Sequence, residues 1–175
     1  MKLHWSHAVL NARDLQPMLD FYTGVMGFTI SDRGPMGAPG APEIVFMSNS
    51  DDEHHQLAIV AQRDESPATS LNHLAFRVES FDEVKEMSQR LQKRGVDILP
   101  LSHGNTLSLY FNDPEKNGVE VFWDTPWHVD QPQGVLWDTN LDEAAALQFV
   151  EDSFRSEPSF TRREDCHRPF ANRPA

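Results

Sequence analysis

The stretch HAVLNARDLQPMLDFYTGVMGFTI at residues 7–30 returns in outline as HLAFRVESFDEVKEMSQRLQKRGVDI at residues 73–98. Each copy runs from an apolar strand through a polar turn into a helix, and each closes on a glycine, Gly27 or Gly95. A repeated sequence pattern of this kind indicates a repeated structural unit, even where no single motif identifies the fold. We therefore expect two structural units of the same kind along the chain.

Apolar residues recur at helical spacing in both copies. They are Leu15, Met18, Leu19 and Tyr22 in the first copy and Phe81, Val84, Met87 and Leu91 in the second. Asp14 and Ser80 are the predicted N-caps. Three strand-like runs follow each helix, at 28–31, 43–47 and 56–61 and then at 96–99, 107–111 and 119–123. Both halves therefore read β-α-β-β-β, and the repeat aligns His7 with His73.

Turn residues and a change of composition predict how the chain is divided. Loops are expected at 32–42 and 49–53, a hairpin turn at 112–118, and a proline-bearing connector at 126–134. A helix is predicted at about 141–154 with its cap near Asn140, before a polar, extended or partly disordered tail at 158–175. We therefore expect one module at 1–125, with repeat units at about 3–61 and 70–125, and a C-terminal extension at 126–175.

Composition narrows the class of partner. At 175 residues with 39% hydrophobic content, the chain can bury one core or two small repeated units. Its net charge of -12 argues against nucleic-acid or membrane-surface partners and favours a small molecule. No apolar run approaches the roughly 20 residues of a membrane span, and the N-terminus does not resemble an export signal. The single cysteine, Cys166, excludes an internal disulfide, and we expect a cytoplasmic protein.

Three motifs in order resemble the vicinal-oxygen-chelate superfamily. They are F-Y-x-x-V-x-G-F at 21–28, Asn72-His73 at the start of a strand, and Y-F-x-D-P-x-x-N-G-V-E-V at 110–121. The resemblance covers about residues 3–125. It implies an α+β fold in which two βαβββ units pair into a half-open eight-stranded barrel around a metal site. The superfamily includes extradiol dioxygenases, glyoxalases, fosfomycin-modifying enzymes, epimerases and metal-free drug-sequestering proteins, so the fold alone does not choose the chemistry.

His7, His73 and Glu120 stand at the metal-ligand positions of that family. Glu120 lies in a strand of valine and aromatic residues, where burying an unpaired carboxylate would be costly and a metal ion would offset the cost. Two imidazoles and one carboxylate also leave open the positions that an oxygen-activating Fe(II) site requires. The resemblance to single-module type I extradiol ring-cleavage dioxygenases thus implies Fe(II), with Mn(II) as the alternative.

Extradiol cleavage also needs a group that moves protons near the metal. His54 and His55 precede a strand that resembles the dioxygenase segment in which a histidine has this acid–base role. Counting forward from Phe46 in the first copy and from Tyr110 in the second aligns Glu120 with Gln56, the residue next to His55. We favour His55 because it is adjacent to the strand, and His54 stays open as the alternative.

Tyr110 matches a family tyrosine that reaches the substrate, and its phenol can donate to a developing oxyanion. The stretch from His103 to Asn105 resembles a segment that contacts the catechol, so both residues are predicted to bind substrate. The remaining histidines, His4, His128 and His167, are expected to be exposed to solvent.

The sequence thus predicts an Fe(II)-dependent extradiol dioxygenase that acts on a catechol-type substrate with dioxygen. A homo-oligomer is expected, because a module this small leaves sheet surface exposed. The alternatives are a metal-dependent thiol transferase of the fosfomycin-resistance type, a glyoxalase-type isomerase in which Gln56 would be the extra ligand, and a metal-free module that binds aromatic compounds.

Overall fold

Both copies of the repeat fold as one strand, one helix and three further strands in a computed structural model of the chain. The structure describes residues 7–35, 40–51, 53, 55–64, 71, 73–130 and 133–166. Its contacts group into two compact units, Met1–Asn72 with Asn112–Asn117, and His73–Phe111 with Gly118–Ala175. The predicted α+β class with two βαβββ units is confirmed.

The first unit carries a four-stranded sheet in the order β1-β4-β3-β2. Its elements are β1 (Ala8–Ala12), α1 (Leu15–Gly24), β2 (Thr29–Pro35), β3 (Glu43–Ser48) and β4 (Leu57–Ala61). β1 is parallel to β4, and the other pairs are antiparallel. Asp14 caps α1, as predicted, by accepting a hydrogen bond from the amide of Gln16. The helix buries the predicted residues Met18, Leu19 and Tyr22.

β2 corrects the prediction of a loop over residues 32–42. The strand continues to Pro35, pairing Arg33 with Val45 across a register shift between Ile30 and Asp32. Polar residues are tolerated there because β2 is an edge strand, where backbone pairing does not require an apolar face. An ion pair between Arg33 and Glu43, at 2.8 Å, joins β2 to β3.

The second unit carries a five-stranded sheet in the order β10-β6-β7-β8-β5. Its repeat elements are β5 (His73–Val78), α2 (Phe81–Lys93), β6 (Leu99–Ser102), β7 (Thr106–Asn112) and β8 (Gly118–Asp124). Ser80 and Glu83 form a capping box at the start of α2, and the predicted apolar stripe is buried. The strand predicted at 96–99 begins later, because the amide of Val96 bonds back to the carbonyl of Leu91 and closes the helix.

The C-terminal extension packs within the second unit. It comprises β9 (Trp127–His128), β10 (Val135–Leu136), α3 (Glu143–Phe154), β11 (Thr161–Arg162) and a short 3-10 helix (Arg163–Asp165). β10 adds a strand to β6, and the buried Trp137 donates its indole N–H to the carbonyl of Ser108. The cap of α3 is Asp142 and not Asn140, because the Asp142 carboxylate accepts from the amide of Ala145. No helix in the described ranges is long and apolar enough to cross a membrane.

Candidate active site

Two histidines of the first unit lie side by side at the start of neighbouring strands. His7 precedes β1 and His55 precedes β4, and these strands are parallel, with Ala8 opposite Leu57. The imidazole centroids are 4.5 Å apart, and the Phe46 ring lies 4.8 Å from that of His55. The proposed acid–base residue therefore contacts a predicted metal ligand. His54 lies outside the described residues.

The strand register corrects the count that placed Glu120 opposite Gln56. Ala8 pairs with Leu57 in the first unit, whereas His73 pairs with Gly118 in the second. With His7 aligned to His73, the counterpart of Glu120 is therefore Ala58. The count failed because the β3–β4 connection is longer than the β7–β8 turn. In a glyoxalase-type site, the side-chain oxygen of Gln56 would be the extra metal ligand. In the structure, this oxygen accepts a hydrogen bond from the amide of Asn49.

In the second unit, Glu120 lies beside His73 on adjacent parallel strands. The residue is 7% exposed, and its Oε2 is 3.4 Å from Nε2 of His73. Val119 and Val121 on either side of it are buried. The carboxylate thus lies in a mostly apolar strand with one histidine within reach, and the metal-binding role of this pair stays a prediction.

Tyr110 links this carboxylate to His103. Its hydroxyl lies 3.1 Å from Nε2 of His103, and it interacts with the Glu120 carboxylate. Burial, the hydrogen bond to Glu120 and the charge of Glu120 raise the pKa of Tyr110 above its ordinary value. The phenol therefore stays protonated at neutral pH and can act as a donor.

The other ring nitrogen of His103 fixes its tautomer. Nδ1 lies 2.5 Å from the carbonyl oxygen of Gln133, which can only accept, so Nδ1 carries the hydrogen. In the neutral imidazole, Nε2 is then an acceptor that faces the Tyr110 hydroxyl. One phenolic proton thus stands between the two acceptors His103 and Glu120.

These side chains open onto a cavity of about 280 Å³ in the second unit. It is lined by His103, Asn105, Thr106, Tyr110, Glu120 and Phe122. The two residues predicted to bind substrate, His103 and Asn105, therefore share a cavity with the predicted ligand Glu120. Their roles remain predictions.

The donor pair in the second unit fits a divalent cation. A buried carboxylate next to an imidazole costs free energy, and a shared cation would offset that cost. The part of the chain that the structure describes contains no group of three or more His, Cys, Asp or Glu that could hold a metal. The predicted triad takes His7 from one unit and His73 with Glu120 from the other, and it stays a prediction.

The C-terminal extension contributes residues that the sequence did not predict for this region. Gln133 orients His103, and Arg163 donates to the carbonyl of Asn105 at 2.7 Å. The prediction that His128 is exposed is wrong, because its strand β9 pairs with β11 and leaves the side chain 12% exposed. Its Nε2 lies 3.6 Å from Oδ1 of Asp130. No local signal points to the contacts of Gln133 and Arg163, which join residues 30 and 58 positions apart. His4 and His167 lie outside the described residues.

A family model identifies the class of protein. The model described as Glyoxalase/Bleomycin resistance protein/Dioxygenase superfamily matches residues 4–121, and the chain belongs to this superfamily.

Individual relatives represent more than one chemistry. Biphenyl-2,3-diol 1,2-dioxygenase 3 of Rhodococcus globerulus is 29% identical over 123 residues, which cover 66% of this chain and 60% of the relative. Catechol-2,3-dioxygenase of Bacillus subtilis (strain 168) is 29% identical over 157 residues, which cover 85% and 53%. The chain thus spans little more than half the length of these two proteins. The crystal structure of the fosfomycin resistance protein FosX from Mesorhizobium loti is similar with a TM-score of 0.56 at 25% identity, covering 69% of this chain and 91% of that one.

Proposed function

We propose that this protein is an iron(II)-dependent extradiol dioxygenase, which opens a catechol ring beside its hydroxyl groups and places both atoms of dioxygen in the product. The environment of Glu120 carries the proposal. Its buried carboxylate has an imidazole and a phenol as partners, and neither Lys nor Arg contacts it in the described ranges. Since a buried charge without a cation is costly, Glu120 is suited to hold a metal ion.

His7, His73 and Glu120 would hold the ion. Iron(II), when bound there, would supply Lewis acidity toward the catechol oxygens and redox chemistry toward dioxygen. Manganese(II) is the alternative ion, because the same donors suit it.

Tyr110 and His103 orient the catechol in this proposal. The Tyr110 hydroxyl donates to the charged oxygen of a catechol monoanion, and the raised pKa of this tyrosine keeps the proton on the phenol. Without substrate, Nε2 of His103 accepts from this hydroxyl at 3.1 Å, and the catechol oxygen would replace it as the acceptor of the phenolic proton. Asn105 lines the same cavity and supplies a polar contact to the ring substituents.

His55 is the proposed acid–base residue. It takes a proton as the catechol becomes a monoanion and returns a proton as the ring opens. The contact of its ring with that of His7 supports this role. His54 is the alternative, and alanine variants of the two histidines separate the assignments.

A metal-dependent thiol transferase is the second candidate, supported by the similarity to Glutathione transferase FosA of Serratia marcescens, which is 29% identical over 116 residues covering 66% of this chain and 77% of that protein. A phosphonate substrate needs cationic donors close to the metal. The cavity at Glu120 is lined by His, Asn, Thr, Tyr and Phe side chains, without Lys or Arg among its described lining residues. This lining favours an aromatic diol over a phosphonate.

The first test compares the two chemistries directly. Protein purified without oxygen is assayed for metal, loaded with Fe(II) or Mn(II), and given catechol, 3-methylcatechol or 2,3-dihydroxybiphenyl. Oxygen uptake with a yellow ring-opened product, and both atoms of ¹⁸O₂ in that product, are expected with Fe(II). The proposal fails if no catechol consumes oxygen while Mn(II) supports glutathione addition to fosfomycin.

Histidine variants then divide the proposed roles. His73→Ala should lose the iron, whereas His55→Ala should keep the iron and lose most turnover. Full turnover in His55→Ala together with loss in His54→Ala would transfer the acid–base role to His54.

We also infer a cytoplasmic homo-oligomer. β1 and β5 are edge strands of their sheets, and exposed edges are commonly covered in native proteins. Light scattering of the purified protein tests the assembly, and a monomeric mass would contradict it.

A further inference from the structure

A second cavity of the second unit adjoins the one at Glu120. Its volume is about 460 Å³, and its wall is formed by Arg77, Asn105, Thr106, Phe122, Asp124, His128, Arg163 and Cys166. Asn105, Thr106 and Phe122 line both cavities. A ligand with its reacting ring beside Tyr110 can therefore extend a substituent past Phe122 into the second cavity.

The C-terminal extension builds one wall of this cavity and is held there by specific bonds. Arg163 donates through Nη2 to the carbonyl of Asn105 at 2.7 Å and to Oδ1 of Asp124 at 3.1 Å. Its Nη1 lies 3.0 Å from Oδ2 of Asp124, so the ion pair is bidentate. The backbone of Arg163 also donates to the carbonyl of Pro126. The guanidinium is thus fixed before any ligand arrives.

The wall of the second cavity carries more positive than negative charge. Arg77 approaches the same carboxylate, with Nε 3.2 Å from Oδ2 of Asp124. Two guanidinium groups therefore share one carboxylate, which leaves a surplus of one positive charge. His128 lies near a different carboxylate, Asp130. In a chain with a net charge of -12, this local surplus favours an anionic ligand group.

Geometry favours a planar anion on an aromatic ligand. Arg77 uses Nε for its ion pair with Asp124 and is 67% exposed at its side chain, which leaves its two terminal amino groups for a ligand. Its guanidinium carbon lies 5.5 Å from the centroid of Phe122, which can contact the apolar part of a substrate. A guanidinium edge matches a carboxylate in a bidentate arrangement.

We propose that this second cavity is a subsite for a carboxylate substituent of the substrate, with Arg77 and Arg163 as specificity-determining residues. The inference rests on the proposed function and names its substrate class: catechols that carry a short acidic side chain. Asp124 sets the strength of the subsite, because it neutralises one of the two cations.

The test measures binding and turnover separately. Calorimetry without oxygen compares 3,4-dihydroxyphenylacetate with its methyl ester, which has the same ring but no charge. Wild-type protein is expected to bind the acid at least about tenfold more tightly, the effect of one charge-assisted hydrogen bond. Oxygen uptake with the same pair is expected to show the preference in KM rather than in kcat.

Three variants separate a specific subsite from general structural damage. Arg77→Gln should weaken binding of the acid about tenfold and leave the ester unchanged. Asp124→Asn should act in the opposite direction and tighten binding of the acid, because both cations become available. Arg33→Gln, which removes an arginine paired with Glu43 in the first unit, is the matched control and should change neither ligand.

The outcomes distinguish this inference from the proposed function. Equal binding of acid and ester, or equal losses for both in Arg77→Gln, overturns the subsite even if catechols are cleaved. Oxygen uptake that is absent with every catechol overturns the proposed function, while a binding preference for the acid that is lost in Arg77→Gln still supports the subsite.

Discussion

Two buried glutamates five positions apart have opposite surroundings. Glu115, in the turn between β7 and β8, is 5% exposed and accepts from the amides of Arg13 and Asp14 and from the Arg13 guanidinium. Arg63 adds a fourth donor at 3.4 Å. Glu120, in β8, is 7% exposed and has only His73 and Tyr110 as its partners in the described part of the chain.

The two tyrosines of the chain repeat this contrast. Tyr22 is fully buried and donates to Asp113, whose carboxylate also accepts from the Asn117 side chain and from the amides of Glu115 and Asn117. Tyr110 shares its proton with Glu120 and His103 beside an open cavity. A carboxylate saturated by N–H donors stabilises a turn, whereas one left with titratable partners and space is suited to bind a ligand.

Replacing each glutamate by glutamine gives the largest expected contrast. Glu120→Gln should lower iron content and reduce oxygen uptake at least ~100-fold, since even losing a supporting contact of a ligand costs 10- to 100-fold. The melting temperature of its metal-free form should stay unchanged or rise, because a buried charge without a cationic partner is removed. Glu115→Gln is the matched control and should keep iron and turnover. Equal loss of activity in both variants would refute the distinction.

The tyrosine pair sharpens the comparison with a smaller effect. Tyr110→Phe keeps the ring and loses a donor at the cavity, so turnover should fall roughly tenfold to hundredfold while stability changes little. Tyr22→Phe removes a buried hydrogen bond and should lower the free energy of unfolding by about 1 kcal/mol with turnover intact. Steady-state oxygen uptake and urea unfolding of both variants check this. Loss of turnover in Tyr22→Phe alone would reverse the assignment.

The residues that could be predicted share a local signal. Asp14 and Ser80 precede apolar helical stripes and cap their helices as predicted. The repeat and the family resemblance together predict His73 and Glu120 as metal ligands; the structure places them 3.4 Å apart, and the role itself stays a prediction. Hydrophobic periodicity and capping act over a few residues and are therefore visible in the sequence.

The remaining features depend on contacts that are distant along the chain. Gln133 reaches His103 across 30 positions, and Arg163 reaches Asn105 across 58. The polar strand β2 is held by pairing with β3, and no pattern within residues 32–35 indicates it. The error in aligning Gln56 with Glu120 came from unequal connections, whose lengths the repeat does not constrain.

The next largest expected effect is the loss of stability when Glu115 is replaced. Glu115→Gln loses charge-assisted bonds from Arg13 and Arg63 and should lower the free energy of unfolding by about 2 kcal/mol. For a domain of this size, the melting temperature should fall by roughly 4–8 °C. Glu43→Gln, at an exposed ion pair, serves as the control and should melt like the wild type. An unchanged melting temperature in Glu115→Gln would show that its bonds do not stabilise the turn.

The smallest expected effect is the pH dependence of the difference in unfolding free energy between the wild type and Glu115→Gln. Burial raises the pKa of Glu115, but bonds from the amides of Asp14 and Arg13 and from the Arg13 guanidinium outweigh it, so the pKa lies below the ordinary 4.5. The folded state then binds fewer protons than the unfolded state near that pH. The contribution of Glu115 is therefore complete above about pH 4.5 and is lost as the pH falls through the lowered value.

Asp113 titrates in the opposite sense, because burial outweighs its hydrogen bonds and raises its pKa above 3.8. Its contribution is complete below that value and is lost as the pH rises. Subtracting the stability of Glu115→Gln from that of the wild type isolates Glu115, since Asp113 is present in both. Urea unfolding should give a constant difference from pH 7 to pH 5.5 and a shrinking one below about pH 4.5. A difference that stays constant or widens down to pH 3 would mean that the Glu115 bonds do not depend on its charge.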